Sequence, residues 1–449
     1  MRYLPHTDEE IRQMLERIGV DSVDALFEPI PATHRLGRQL ALEPVLDEAS
    51  LMDHLSELAA RNDAARALSF LGGGMYDHHI PPAVDQLLMR SEFYTAYTPY
   101  QAEAAQGTLQ ATFEFQTIVC QLLGMEVANA SMYDGASAAA EAVLMARRVL
   151  GRSHVVVSAG LHPEYRETIT AYLSGIDDEL NVSVAPLTVD GRTDLTELAA
   201  LMRDDTAAVV VGYPNFLGCV EDLGGARERA TARGALLVTA TWEPYALSLL
   251  KPPGHYGADI AVGEGQALAV PPQLGGPGVG IFSCKKEHVR QMPGRLVGET
   301  VDAAGQAGYV LTLSTREQHI RRERATSNIC TNHGLIALAM AIRTSMLGRS
   351  GFEAIGRLCL SRAEYLRGRI AEIGRFSLPC SAPTFNEIVV RREDGKAAPL
   401  LASLGAQGIL AGVDLGRWYP ERDRDFLVAV TERHSKADLD RLADALAES

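Results

Sequence analysis

Short apolar runs alternate with amphipathic segments through the middle of the chain. The apolar runs are HVVVS (154–158), VSVAPL (182–187), AAVVVGYPN (207–215), ALLVTA (235–240), ADIAV (258–262) and GVGIFSC (278–284). Helical patterns lie between them, at Tyr165–Leu173, Asp194–Arg203 and Ala226–Arg233. Because buried strands separated by helices form parallel sheets covered on both faces, this alternation predicts a large, mainly parallel α/β sheet domain.

The residues before and after this sheet follow other patterns. Thr7 and Glu10 form a capping box at the start of one predicted helix, and a second helix is predicted over Ser50–Ala65. A polar segment, Pro293–Thr331, follows the last strand. The chain then continues as helices at Ile336–Leu347 and Ser361–Ile373, strands at Glu387–Val390 and Phe426–Thr431, and a last helix capped by Ser435. We predict a helical arm at 1–65, a large domain at 66–330, and a linking helix with a small α/β domain at 331–449.

An aromatic, hydroxyl-rich run precedes one long helical pattern. FYTAYTPY (93–100) has no helical period, whereas Leu109, Phe113, Gln116 and Cys120 recur at helical spacing before Gly124 stops the helix. Such a loop suits the wall of a binding site or a subunit contact. Buried aromatic side chains more often serve the core, so the residue chemistry alone leaves both interpretations open.

Composition and charge narrow the class of protein. The 449 residues are 47% hydrophobic, enough for a large core, and the net charge of −15 argues against nucleic acid and anionic membranes as partners. The six cysteines are scattered without a CxxC pair, which fits reduced thiols in the cytoplasm. The sequence start has no apolar signal region. The adjacent His78 and His79 have no further ligand at metal spacing, so we expect no metal.

Several long motifs carry a family resemblance. They are YTAYTPYQAE (94–103), FEFQT, GMEVANAS, Gly263–Gln266 with Gly275–Gly278, Pro293–Thr300, and REQHIRRERATSNICTN (316–332). Together they resemble the amino-terminal half of glycine decarboxylase, the pyridoxal-phosphate (PLP) enzyme or P-protein of the glycine cleavage system. Some bacteria and archaea split this protein into two chains. From about Pro5 to its end, the sequence resembles subunit 1 of the two-chain form.

The resemblance implies a fold and a function. The fold is that of fold-type-I PLP-dependent transferases, with a large sheet domain and a small carboxyl-terminal domain. With subunit 2, the chain would decarboxylate glycine, release CO2 and pass the aminomethyl group to the lipoyl arm of the H-protein. The implied assembly is a cytoplasmic (αβ)2 heterotetramer. The helical arm either wraps a partner subunit or packs on its own domain.

PLP chemistry requires a lysine for covalent attachment and an acid at the pyridine nitrogen. The loop where fold-type-I enzymes carry the lysine reads GEGQALAVPPQLGG here, and Gln266 stands at the degenerate lysine position. The strand end that would carry the acid reads VTATWEPY, where only the displaced Glu243 is acidic. The resemblance therefore implies that PLP is bound covalently by the partner subunit and not by this chain. The alternative is a stand-alone PLP-dependent lyase or transferase using an atypical lysine such as Lys251, or a non-catalytic regulator.

Three groups of residues are the candidate functional residues. Active-site wall candidates are Tyr94, Thr95, Tyr97 and Tyr100, which would reach the shared site. Asp134, Gly135 and Ser137 open a predicted helix, as an anion cup for phosphate or as a plain helix cap. Dense arginines indicate either a subunit interface or a solvated face, and they are Arg316, Arg321, Arg322 and Arg324.

Overall fold

The computed structural model describes residues 5–176, 181–273, 275–329 and 332–449. Cys330 and Thr331, part of the REQHIRRERATSNICTN motif, lie outside the described residues. The chain divides into two units, one up to Asp63 and one from Ala64 to Ser449. The predicted boundaries near residues 65 and 330 remain predictions.

The helices are, in chain order, α1 (Asp8–Ile18), α2 (Glu48–Ala60), α3 (Pro82–Leu88), α4 (Ser91–Tyr94), α5 (Gln106–Leu123), α6 (Gly135–Leu150), α7 (Pro163–Ser174), α8 (Leu195–Leu201), α9 (Leu223–Ala232), α10 (Gln318–Arg321), α11 (Gly334–Ala371), α12 (Ala397–Ala406) and α13 (Lys436–Glu448). The strands are β1 (Leu68–Ser69), β2 (Val127–Ala128), β3 (His154–Ser158), β4 (Val182–Ala185), β5 (Thr206–Gly212), β6 (Leu236–Thr241), β7 (Ile260–Glu264), β8 (Gly280–Cys284), β9 (Leu296–Val301), β10 (Ala307–Thr312), β11 (Phe376–Ser377), β12 (Glu387–Arg392), β13 (Ile409–Leu410), β14 (Val413–Asp414) and β15 (Asp425–Ala429).

The first unit contains α1 and α2. Thr7 and Glu10 form the predicted capping box of α1, and Gly19 ends it in the left-handed conformation. The second helix runs from Glu48 to Ala60, so the prediction of Ser50–Ala65 was shifted toward the carboxyl end. The reason is the cap, because the Asp47 side chain accepts a hydrogen bond from the Ser50 backbone and starts the helix before Ser50.

Seven strands form the central sheet, in the order β2-β8-β7-β6-β5-β3-β4. The five strands from β3 to β7 pair in parallel, while β8 and β2 form an antiparallel edge. Helix α6 packs across β5 to β8, and α8 and α9 pack on β3 to β6. The predicted mainly parallel sheet is confirmed. Because these strands are parallel, the chain segments that follow β3, β5, β6 and β7 all lie at the carboxyl-terminal ends of the strands, a region called here the sheet edge.

A smaller antiparallel sheet follows, in the order β11-β12-β15-β14. It has its own hydrophobic cluster, to which α13 contributes Leu439, Leu442 and Leu446. Ser435 caps α13 through a capping box with Asp438, as the sequence predicts. The two helices predicted over 336–347 and 361–373 belong to the single long element α11, which is interrupted at Gly348 with a positive φ of 57°.

The polar segment contains a β-hairpin that the sequence analysis did not predict. Strands β9 and β10 are antiparallel, with Val297 opposite Leu311. Between them the Asp302 side chain accepts hydrogen bonds from the Ala304 and Gln306 backbones, and Gly305 has a φ of 81°.

Within the described residues, every helix is too short or too polar to cross a membrane.

Candidate functional site

An open cavity of about 190 Å³ lies beside the aromatic run. Its walls come from residues 93–99, the first half of α5, the β9–β10 hairpin and the start of α11. Most of the lining is apolar, and the polar groups that reach it include Tyr97, Thr98, Arg295 and Asn332. An apolar hollow with a few convergent polar groups is the usual form of a small-molecule site.

Arg295 is the cationic group of this cavity. Its side chain is only 6% exposed, Nη2 donates to the Tyr100 hydroxyl at 3.1 Å, and the guanidinium lies 5.3 Å from the centre of the Tyr100 ring. Glu317 Oε2 lies 3.5 Å from Nε, yet within the described structure Nε and Glu317 Oε1 have no hydrogen-bond partner. A buried guanidinium with an unused N–H is suited to bind a carboxylate or another small anion.

The opposite rim is fixed by Asn332 and Ser131. Asn332 Nδ2 donates to the Ser131 hydroxyl at 2.7 Å and to the Ala130 carbonyl at 2.9 Å. Ser131 has a φ of 131°, a conformation that costs free energy for a residue with a Cβ. The hydrogen bonds from Asn332 hold this strained turn against the start of α11.

The four predicted wall residues differ in their positions. Tyr97 is 82% exposed and lines the cavity, whereas Tyr100 is 53% exposed and hydrogen-bonded to Arg295. Tyr94 is 57% exposed at the end of α4, and the Thr95 hydroxyl donates to the Ser91 carbonyl. Of the four, only Tyr97 lines the cavity, whereas Tyr100 reaches it indirectly through its contact with Arg295. Their role as active-site wall stays a prediction.

A second polar region lies at the sheet edge, where β7 ends. Gln266 is buried there, and its Oε1 accepts from the Tyr76 backbone at 3.2 Å. Its Nε2 donates to the Tyr76 carbonyl at 3.3 Å and to the Val270 carbonyl at 2.6 Å. The amide therefore uses both of its polar atoms to join two loops of this chain.

The predicted anion cup lies next to Gln266. Asp134 caps α6 by accepting from the Ser137 backbone at 2.7 Å, and Ser137 completes the capping box. The Gly135 N–H donates to Glu264 Oε2 at 3.0 Å. A carboxylate of the same chain therefore occupies the position that a phosphate would need at this helix start.

Aromatic side chains fill the space above the ends of β5 and β6. Trp242 is 1% exposed, and its ring lies 5.5 Å from that of His162 and 5.6 Å from that of Tyr165. His162 also packs edge-on against Phe216 at 4.7 Å. Burial lowers the pKa of His162 to about 4, so the imidazole is neutral at physiological pH and bonds the Gly73 carbonyl.

His78 is held between two carboxylates at the same edge. Its Nε2 lies 3.1 Å from Glu243 and its Nδ1 lies 2.6 Å from Glu432. Burial alone lowers the pKa of His78, but the two carboxylates outweigh it and raise the pKa to about 9. Cys359 lies near enough that it, His78 and Glu432 have ligand atoms within 4.8 Å of one another. Both ring nitrogens already bond carboxylates, so the arrangement forms a buried ion pair without added metal.

The four predicted interface arginines fall into two classes. Arg316 is buried and donates to the carbonyls of Leu313, Met292 and Gly294. The other three are exposed: Arg321 donates to the Thr315 carbonyl, Arg324 lies 3.8 Å from Glu323, and Arg322 has a φ of 52°. Arg316 is therefore satisfied within the chain, and an interface role for the others stays a prediction.

The residues at the sheet edge do not fit covalently bound PLP. Gln266, predicted to stand at the lysine position, is an amide bonded to the Val270 carbonyl and cannot form an imine. Glu264 holds the helix start, and Glu243 is engaged by His78 and by Asn386 at 3.2 Å. Lys285 pairs with Asp259 at the other end of the strands, and Lys251 is exposed in a loop. The edge is thus filled by side chains that bond one another.

Comparison with known proteins gives one consistent assignment. The family described as "Glycine cleavage system P-protein" matches residues 1–446. A protein of Sorangium cellulosum named "Probable glycine dehydrogenase (decarboxylating) subunit 1" is 58% identical over 100% of this chain and 99% of its own length. A protein of the same name from Desulforamulus reducens is 48% identical over 99% of both.

Solved structures agree with this assignment. A crystal structure of glycine decarboxylase (P-protein) of the glycine cleavage system, in inhibitor-bound form, superposes with a TM-score of 0.89 at 45% identity, over 100% of both chains. The glutamate decarboxylase of Lactobacillus brevis shares the fold, with a TM-score of 0.70 at 14% identity over 93% of this chain and 95% of that one. The predicted fold-type-I PLP-dependent transferase fold is therefore confirmed. The chain belongs to the glycine cleavage system P-protein family.

Proposed function

We propose that this chain is subunit 1 of a two-chain glycine dehydrogenase (decarboxylating). With subunit 2 it decarboxylates glycine, releases CO2 and transfers the aminomethyl group to the lipoyl arm of the H-protein. Relatives that carry this name match the chain over its whole length. The match to the P-protein structure over the whole chain supports the same function.

The observation that carries the proposal is the contrast between the filled sheet edge and the open cavity. A chain without a lysine at position 266, and with its helix start bonded to its own Glu264, is unsuited to hold PLP covalently. We therefore assign the covalently bound PLP to subunit 2. When bound, PLP accepts the electrons that the departing CO2 leaves behind, and this chain acts by binding and orienting the substrate.

Arg295 is the residue best placed for that binding. A guanidinium that is 6% exposed and lines the cavity can pair with the carboxylate of glycine. The Tyr97 side chain lines the same cavity, and its hydroxyl can donate to a substrate or cofactor oxygen. Fixing the substrate in one orientation accelerates the reaction by reducing its entropy cost.

Assembly follows from the same geometry. The cavity is open at the exposed tyrosines, and a partner that covers them completes its wall and excludes water. The exposed Arg321, Arg322 and Arg324 are available to carboxylates of subunit 2. We propose a cytoplasmic (αβ)2 heterotetramer that acts on the H-protein.

Cofactor loading tests this assignment. After incubation with PLP and removal of the free cofactor by desalting, this chain alone should be colourless, whereas the complex with subunit 2 should be yellow and lose its colour with borohydride. Peptide mapping should then place the reduced PLP on a lysine of subunit 2. Reduced PLP on Lys251 or another lysine of this chain would contradict the proposal and favour a stand-alone enzyme. The described surroundings of Lys251, an exposed loop, give no support to that alternative.

A further inference from the structure

Three backbone N–H groups from three separate segments converge on the carboxylate of Glu264. Gly135, at the first turn of α6, donates to Oε2 at 3.0 Å. Gln266, two residues after Glu264, donates to Oε1 at 2.9 Å, and Val279 donates to the same oxygen at 2.8 Å. Converging backbone N–H groups at a helix start are the usual protein site for a phosphate.

The surrounding backbone closes tightly around this carboxylate. A Cβ added at Gly278 would lie 2.9 Å from both carboxylate oxygens, closer than real Cβ contacts allow. A Cβ at Gly135 would collide with the Tyr165 hydroxyl and lie 3.1 Å from the Glu264 Cβ. The site therefore holds one small anionic group and has no space for a second anion beside it.

Two opposing influences act on the pKa of the Glu264 carboxyl. Burial is the larger and raises the pKa above its ordinary value, whereas the N–H groups of Val279, Gly135 and Gln266 lower it. Each of these contacts comes from a donor, so the carboxylate accepts through both oxygens. The amino-terminal end of α6, a helix of 16 residues, adds favourable electrostatic potential.

We propose that Glu264 is a built-in anion that takes the place of a cofactor phosphate at the start of α6, so that this chain excludes phosphorylated ligands from its own sheet edge. The missing lysine alone would remove only the covalent bond, whereas Glu264 removes the anchor for the phosphate as well. A bound phosphate and the Glu264 carboxylate would place like charges on the same N–H groups. The inference concerns this chain alone and does not depend on the proposed function of the complex.

The test is rescue by inorganic phosphate. Glu264→Ala empties the site, so the full chain should lose stability and regain part of it as phosphate binds. The melting temperature should then rise with the logarithm of phosphate concentration, as for any ligand that binds only the folded state. Phosphate also stabilises folded proteins in general because it is excluded from their surface, so wild type should show only this smaller gain and Glu264→Ala should exceed it at matched ionic strength.

Glu221→Ala is the matched control. Glu221 is also a buried carboxylate, 6% exposed, and it accepts from the Thr193 backbone and from Asn215 instead of from a helix start. It should lose stability and gain no more from phosphate than wild type does. Equal phosphate responses of Glu264→Ala and Glu221→Ala would overturn the proposal, and so would a wild-type response as large as that of Glu264→Ala.

Glu264→Gln separates the lost charge from the emptied space. The amide keeps the volume, so this variant should be destabilised but should respond to phosphate no more than wild type does, and a response equal to that of Glu264→Ala would contradict occupation of the site. If Glu264→Ala is too unstable to purify, its refolding yield in phosphate against chloride gives the same comparison. A gain in phosphate larger than that of Glu221→Ala supports the proposal, and an equal gain overturns it.

Discussion

The sheet edge and the open cavity differ in the burial and hydrogen bonding of their polar groups. At the edge, Glu264, Gln266 and His78 are buried and bonded to other groups of the same chain. At the cavity, Tyr97 is exposed and Arg295 retains an N–H without a hydrogen-bond partner among the described residues. Unsatisfied buried polar groups cost free energy and also occur elsewhere in the described residues, so the assignment of Arg295 rests on its position at the cavity wall.

The comparison separates residues that stabilise the fold from residues that serve activity. Side chains at the edge replace the contacts of a cofactor with contacts of the chain itself, so substitutions there should mainly change folding. At the cavity, Tyr97 is exposed and has few contacts within the chain, and Arg295→Lys keeps the charge, so these substitutions should mainly change activity.

Trp242→Ala should cause the largest loss of stability. The side chain is 1% exposed among His162 and Tyr165, and removing a buried aromatic ring leaves a cavity that costs about 3–5 kcal/mol. Tyr97→Ala, at a side chain that is 82% exposed, should change stability by less than ~0.5 kcal/mol. Urea unfolding of both variants measures the difference, and similar losses would remove the distinction between the two regions.

The ion pair of His78 predicts a loss of stability at alkaline pH. The carboxylates of Glu243 and Glu432 overcome the effect of burial and raise its pKa from 6.5 to about 9. Since the folded-state pKa is the higher one, the stabilisation is complete below pH 6.5 and is lost as the pH rises through about 9. The free energy of unfolding, measured by urea titration across this range, should therefore decrease.

Two variants isolate this contribution. Burial raises the pKa of Glu387 from its ordinary value of 4.5 to about 8. The folded state therefore holds this proton more tightly than the unfolded state, and the free energy of unfolding also decreases between these two pH values. His78→Gln should abolish the decrease between pH 8 and 9 and retain part of the decrease below it. Glu387→Gln should abolish the decrease between pH 4.5 and 6.5 and retain the decrease that His78 causes up to about pH 9. An unchanged profile for His78→Gln would show that the histidine is not held as a cation.

Arg295→Lys should impair catalysis by the complex. Lysine keeps the charge but loses the planar fork, so a charge-assisted hydrogen bond of about 1.5–3 kcal/mol to the substrate is weakened. Exchange of bicarbonate into glycine should fall by roughly 10- to 100-fold. Arg357→Lys, at an exposed arginine paired with Glu353 within α11, is the control and should keep full activity. Equal activities of the two variants would argue against Arg295 as the carboxylate ligand.

Tyr97→Phe should have the smallest effect. It removes one neutral hydrogen bond, worth about 0.5–1.5 kcal/mol, and should reduce the exchange rate roughly three- to tenfold while assembly is retained. Tyr94→Phe in the same assay tests the neighbouring tyrosine, which does not line the cavity in this chain. A larger effect of Tyr94→Phe would place the shared site on the outer side of α4.

The sequence predicted the fold well because the information is local. Each buried strand reads as an apolar run, and caps such as Asp134 and Ser435 are visible within one turn. The hairpin β9–β10 was missed because its strands are partly exposed and lack a long apolar run, although Asp302 and Gly305 signal the turn between them. The helical spacing in α5 includes Phe113, yet Phe115 is the phenylalanine that this helix buries.

The site was predicted less completely because its contacts are distant in the sequence. Gln266 was found by counting along a motif, and the aromatic run identified one side of the cavity. The role of Glu264 depends on Gly135, 129 positions earlier, and Arg295 is paired with a glutamate 22 positions later. In the sequence, Glu264 is a single glutamate at the end of an apolar strand, and Arg295 is one arginine in a polar segment. Neither pattern indicates which residues the side chain contacts, because those partners approach only in the folded chain.

The most direct test compares one change in each region within the reconstituted complex. Gln266→Ala alters the edge, and the double variant Arg295→Lys/Tyr97→Phe alters the cavity. PLP absorbance per complex and bicarbonate exchange into glycine should be measured below the melting temperature of each. Gln266→Ala should keep both properties, and the double variant should keep the absorbance and lose most of the exchange. Loss of PLP loading in Gln266→Ala, with full exchange in the double variant, would contradict the account.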